Sequence, residues 1–178
     1  MSTPAVAATT AALPAGRYRL DATASEVRIE QKTMWGLVNV KGRFATVSGE
    51  GEIPAAGGPA SGTLTVATAS LDTGHAKRDA HLRSADFFDV ENHPELTFQV
   101  SGAEAAADGS VLVTGSLTVR GVTEPLQFTA AVSDAGQDSV TLTARTTFDR
   151  DRFGLGWSKL GMIKGRTTAT VTAAFRKQ

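Results

Sequence analysis

SVLVTGSLTVRG (110–121) and EPLQFTAAVSD (124–134) are short runs of apolar residues, threonine and serine on either side of a turn, GVTE (121–124). Alternating runs flanking a tight turn read as an antiparallel hairpin. The same pattern repeats in both directions along the chain. GRYRLD (16–21) alternates. In SEVRIEQK, Val27 and Ile29 take one side, and Glu26, Arg28, Glu30 and Lys32 the other. VNVKGRFATVSGEGEI (38–53) is a long extended segment, with bends expected at Gly42, Gly49 and Gly51. SGTLTVATASLDT (61–73), ELTFQVSG (95–102), SVTLTARTTFDR (139–150) and GRTTATVTAAFRK (165–177) complete the series. AAGGPAS (55–61) is a turn, and ADG (107–109) and DAGQD (134–138) have hairpin length. Eight or nine strands in sequential hairpins predict an all-β fold. Such a sheet closes most simply into an up-and-down antiparallel barrel, with a sandwich as the alternative.

One segment breaks the pattern. HAKRDAHLRSADFFDVENHPE (75–95) is charged and punctuated by Asp and Pro94. It predicts a short helix over 75–84 and a second turn around 86–90. MWGL (34–37) is a smaller interruption, read as one helical turn.

The chain has 178 residues and no cysteine. That length fits one domain, taken here as 16–178 after a flexible leader over 1–15. Without cysteine there is no disulfide framework, thiol nucleophile or Cys-ligated metal site. Lys+Arg and Asp+Glu are 18 each, so the basic excess that drives nucleic-acid binding is missing and no nucleic-acid partner is expected. No apolar run is long enough for a transmembrane segment. The leader, MSTPAVAATTAALPAG (1–16), lacks the charged and apolar regions of an export signal, so a cytoplasmic chain is expected.

Chemical motifs are sparse. His75, His81 and His93 match no common zinc spacing, and no metal site is expected among them and Asp72, Asp79, Asp86 and Asp89. There is no GxSxG, Walker or GxGxxG motif, so no cofactor is expected. Ser84 beside His81 is the sole hint of a hydrolytic pair. The densest polar cluster is Arg78, Asp79, His81 and Arg83. Either it caps a barrel mouth, with Arg78, His81 or Arg83 meeting a polar head group, or Arg78 and Asp79 form a knot that satisfies loop backbone. Phe87 and Phe88 read as anchors of the excursion, and Trp35 and Trp157 as plugs or pocket walls. Eight-stranded barrels are either filled or hollow. With aromatics at 6% and small or β-branched residues at positions read as inward (Val66, Thr68, Val113, Val119, Thr141, Thr143, Thr170), the balance leans to hollow.

Four stretches carry a resemblance: SLDTGHAKRDAHLRSADFFDVENHPELTF (70–98), LTVRGVTEPLQF (117–128), VKGRF (40–44) with SGEGEI (48–53), and DRDRFGLGWSKLGMIKG (149–165). Together they resemble the YceI-like, polyisoprenoid-binding family over nearly the whole chain. The resemblance implies an eight-stranded, lipocalin-like antiparallel barrel with a short helical excursion near residues 75–90. It implies a hydrophobic tunnel that carries or sequesters one long-chain isoprenoid or fatty ligand, such as a polyprenyl phenol or quinone, an isoprenoid phosphate or a fatty amide. The tunnel wall would then draw on Val27, Ile29, Phe44, Leu64, Val66, Phe98, Leu117, Phe128, Leu142, Phe148 and Met162. Arg78 and His81, as head-group contacts at the mouth, and Trp35, Phe87 and Trp157 are counted with the ligand-binding residues, and Phe153, Trp157 and Leu160 are candidate gates of the mouth. Many members carry a histidine near residues 31–34, where this chain has Gln31-Lys32-Thr33-Met34. A homodimer and a transient membrane contact are compatible with this picture. A binding protein rather than an enzyme is expected. The alternative is an isomerase or cyclase using the same cavity, with His81, Asp79 or Asp149 as acid or base.

Overall fold

The structure, a computed structural model, describes residues 14–33, 38–55, 59–133, 135–155 and 166–178. Alternation and turn residues divide them into eleven strand segments, joined into one antiparallel sheet. The segments are β1 (Gly16–Leu20), β2 (Glu26–Thr33), β3 (Val38–Phe44), β4 (Val47–Ile53), β5 (Ser61–Ala67), β6 (Leu71–Asp72), β7 (Glu95–Ala105), β8 (Val111–Val119), β9 (Val122–Ser133), β10 (Ser139–Asp149) and β11 (Arg166–Lys177). Three pairs are single long staves with a local break. β1 and β2 both lie along β11, separated by a 3-10 turn, Ala22–Ala24. β3 runs against β2 while β4 runs against β1, with the break at Ala45 and Thr46. β5 pairs with β4 and β6 with β3, across a 3-10 turn at Thr68–Ser70. With the five unbroken strands the staves number eight, and β11 closes the ring by pairing with β10 on one edge and with β1 and β2 on the other. The barrel predicted from the sequence is the observed fold.

Some details differ from expectation. Gly42 lies within β3, and Gly49 and Gly51 within β4; the stave breaks between them instead. At Gly49 the reason for glycine is close approach, since a Cβ there would come within 2.9 Å of the Thr63 carbonyl oxygen. The β8–β9 loop is shorter than GVTE. Val119 pairs with Val122, leaving Arg120 and Gly121 as the two turn residues, both at positive φ (52° and 73°). Two such residues match the right-handed twist of the flanking strands. The expected helical turn at 34–37 lies outside the described residues.

Three inward assignments slip by one residue. Leu142 and Ala144 of β10, and Ala169 and Val171 of β11, line the barrel interior. Thr141, Thr143 and Thr170 therefore alternate to the outside. Threonine is β-branched and suits either face, so composition did not identify the buried one. Thr68 is buried, but in a turn, where its hydroxyl donates to the His93 carbonyl at 2.9 Å.

The excursion forms α1 (Ala76–Arg83), followed by turns. His75 caps the helix, its Nδ1 accepting from the Arg78 N–H at 3.2 Å. Of the helix residues only Asp79 is fully buried, and Leu82 is the helix's apolar contact with the core, so apolar packing alone docks it weakly. Side-chain anchors add to it. Arg83 donates from Nε to the Ala69 carbonyl (3.0 Å) and from Nη2 to the Leu71 carbonyl (2.6 Å). Phe87 and Phe88 are both buried, and Phe88 meets Phe44 edge-on with centroids 6.0 Å apart.

One seam of the barrel is short. β9 pairs with β10 only over Ala130–Ser133. Before Ala130 the two strands part, and a 3-10 turn, Arg150–Phe153, contacts β9. Pro125, which has no N–H to give a ladder, falls in this unpaired half of β9.

Candidate functional site

Alternating apolar residues of the staves leave a hollow inside the barrel. The inner chamber is about 150 Å³, and among the described residues every side chain around it is apolar except Thr146. Val27, Ile29, Phe44, Leu64, Val66, Phe98, Leu117, Phe128, Leu142 and Phe148, all named from the sequence, line it. Phe98 and Phe128 stack at a tilt, centroids 5.3 Å apart. A second chamber of about 470 Å³ lies under the excursion. Ile29, Phe44, Leu96 and Phe148 border both chambers, so the two adjoin.

Polar residues border the outer chamber, although the surface facing it is almost wholly apolar. Arg78, His81 and Phe87 line it, together with His75, Lys77, Gln31, Thr167 and Arg150. Arg78 and Asp79 form a knot around Thr73. The Asp79 carboxylate accepts from the Thr73 N–H (3.0 Å) and from its hydroxyl, while Arg78 donates to the Thr73 hydroxyl (2.8 Å) and carbonyl (2.9 Å). The knot satisfies loop backbone, and Arg78 also borders the chamber. Arg83 is absent from the lining, since its guanidinium is spent on the Ala69 and Leu71 carbonyls. His81 pairs through Nε2 with the Asp86 carboxylate at 3.0 Å.

Arg150 was not singled out from the sequence. It is 4% exposed, and burial pushes its pKa down more than the neighbouring Asp151 and Asp149 carboxylates push it up. Its guanidinium carbon lies 5.7 Å from the centre of the Phe87 ring, and His81 meets that ring edge-on at 5.5 Å. Arg150 follows Phe148 by two residues, so continued alternation would have placed it inward. Gln31 follows Ile29 in the same way. Its partner Thr167, whose hydroxyl donates to Gln31 Oε1 at 2.6 Å, comes from the far end of the chain and left no signal.

Phe153 does not reach either chamber. It packs edge-on against Phe148 (5.7 Å) and lines a lateral groove of about 380 Å³ beside the short β9–β10 seam. Trp35, Trp157, Leu160 and Met162 lie outside the described residues. Among the described residues no three His, Asp or Glu side chains converge as a metal site, and no helix is long and apolar enough to cross a membrane.

A family model described as the YceI-like domain matches residues 18–175. The chain belongs to the YceI-like family. Among its YceI-like relatives, a "UPF0312 protein" of Shewanella baltica is 35% identical over 151 residues, 81% of this chain and 79% of that one. A "UPF0312 protein" of Pseudomonas putida is 32% identical over 163 residues, 85% of each chain. Two solved structures share the fold. BcnA of Burkholderia cenocepacia matches with a TM-score of 0.78 at 23% identity, covering 87% of this chain and 98% of that one. A polyisoprenoid binding domain from Saccharophagus degradans matches with a TM-score of 0.75 at 19% identity, covering 90% and 98%.

Proposed function

We propose that this YceI-like chain binds one long-chain amphiphile in its tunnel, an isoprenoid, quinone or similar lipid, and carries or sequesters it without transforming it. The observation that carries this reading is the pair of adjoining chambers, both with almost wholly apolar surfaces, the outer one bordered by polar residues of the excursion. Such a hollow suits a molecule with a long apolar tail, and the bordering polar residues suit its polar end. The description of the Saccharophagus domain as polyisoprenoid-binding supports the same class of ligand. Burial is worth about 0.8 kcal/mol per methylene, so a five-carbon isoprene unit offers roughly 4 kcal/mol before the cost of ordering the tail is subtracted. Affinity should rise with tail length until the chambers are full.

Turnover has less support. Asp79 is engaged by Thr73, and Asp149 accepts from the Asp151 N–H, so of the three acid–base candidates only His81 borders a chamber. The test is native mass spectrometry of the purified protein, followed by organic extraction. One amphiphile per chain, released unchanged, is the expected result. A protein that stays at its bare mass after incubation with polyprenols, quinones and fatty acids would sink the proposal.

A further inference from the structure

We infer that the amphiphile's tail enters the barrel sideways, through a portal in the wall between β9 and β10 that Phe153 plugs. This rests on the amphiphile-binding reading above and concerns only the route to the inner chamber. Closing a sheet into a barrel normally pairs every strand edge. Here the ladder between β9 and β10 joins Ala130–Ser133 to Thr141–Ala144 and stops. Beyond it, Arg145–Asp149 of β10 pair only with β11, and Val122–Thr129 of β9 only with β8. Among the described residues no backbone hydrogen bond crosses from one stretch to the other. Pro125 has no N–H to offer one. The groove of about 380 Å³ beside this seam shares Leu126 and Phe148 with the inner chamber, so a single layer of side chains separates the two.

Phe153 is the plug of this opening. It is 3% exposed, lines the groove and meets Phe148 edge-on at 5.7 Å. Its ring therefore stands against one of the two side chains that part groove from chamber. It is carried by the 3-10 turn Arg150–Phe153, which contacts β9. A rotamer change at Phe153 and Phe148 clears the way without breaking a backbone hydrogen bond. The end of the barrel under the excursion is fastened differently. Arg83 ties α1 to the Ala69 and Leu71 carbonyls, Asp79 holds Thr73, and Phe88 packs on Phe44. Lifting that cover breaks several hydrogen bonds and strands buried donors and acceptors. Parting β9 from β10 before Ala130 breaks no ladder bond among the described residues. The side is the route with less to undo.

The chain has no cysteine, so one introduced thiol can be labelled alone. Thr147 lines the groove at the open seam, whereas Thr143, on the same outer face of β10, pairs with Ala131 of β9 where the seam is closed. Thr147→Cys and Thr143→Cys are made in the full chain and coupled, once folded, to a bulky maleimide. Stopped-flow fluorescence then follows uptake and release of cis-parinaric acid and of retinol, a fatty and an isoprenoid chain that fluoresce by themselves. The label at 147 should slow uptake and release together by at least about tenfold and leave affinity within about twofold, because a blocked route changes both rates alike. The label at 143 should leave both rates within about twofold. Phe153→Ala, unlabelled, should speed both by at least about fivefold. Should that variant fail to fold, the two labelled proteins still decide. Rates at 147 that match those at 143 and in the unlabelled chain overturn the portal and leave amphiphile binding standing. A loss of affinity at 147 in place of slowed exchange overturns it too, since the seam would then be part of the bound site and not its entrance. If neither probe binds the unmutated chain, the amphiphile reading falls, and this inference with it.

Discussion

Arg150 sits over the ring of Phe87, its guanidinium carbon 5.7 Å from the ring centre, and joins the turn after β10 to the excursion that covers the barrel. The contact spans two parts of the chain that share no strand pairing. It makes the cover and the wall one unit. Phe87→Leu keeps the apolar volume and removes the ring. The expected loss is about 0.5–2 kcal/mol of stability by denaturant titration, with weaker amphiphile binding. Unchanged stability and binding would show that the ring is mere filler.

Arg83 fastens α1 to the barrel through two backbone carbonyls. Arg83→Met keeps the aliphatic stem and removes both bonds, leaving the Ala69 and Leu71 carbonyls short of partners. A cost of about 1–3 kcal/mol is expected. Hydrogen exchange should then rise over residues 75–90 before it rises in the strands. Uniform exchange across the protein would contradict the anchoring role.

The inner chamber is bounded at Ala144 by a methyl group. Ala144→Phe projects a ring into the hollow where the tail is expected to lie. Amphiphile uptake should fall at least about tenfold while the barrel stays folded, at a cost of about 1–3 kcal/mol from overpacking. Undiminished uptake of long tails would place the ligand elsewhere.

Asp21 carries a pH signature. Hydrogen bonds from Thr23, with help from Arg176, hold its carboxyl below the ordinary value of 3.8. The folded state therefore binds this proton less readily than the unfolded chain. The stabilisation is present above pH 3.8 and is lost as pH falls through the lower folded value. Asp21→Asn should flatten the acid limb of a stability–pH curve in that window. An acid limb identical to that of the unmutated chain would rule out this contribution.

Much of the site was readable because a barrel wall repeats every two residues. Val27 and Ile29, Leu64 and Val66, and Leu142 and Phe148 each fall on one face of a strand, and all line the interior. Threonine was the weak point. Thr141, Thr143 and Thr170 look like wall residues by type and lie on the outer face. The mouth was harder, because its parts come from distant stretches. Gln31 and Thr167 are cross-strand neighbours on β2 and β11, a pairing fixed only when the ring closes. Arg150 is polar where the alternation calls for an apolar side chain, so it was passed over although its position was inward. The excursion showed as a break in period, yet its attachment by Arg83 depends on turn carbonyls that no periodicity marks.

The place of β11 in the ring has a consequence for assembly. Ala169, Val171, Ala173 and Phe175 supply part of the inner wall, and β11 is the stave that bridges β10 to β1 and β2. In a chain made from its N-terminus, every other stave is synthesised before it. A nascent chain short of β11 has an open sheet with its apolar face wet, and no enclosed volume at all. An enclosed interior is thus gained all at once, in the step that seats β11 between β10 and the stave of β1 and β2.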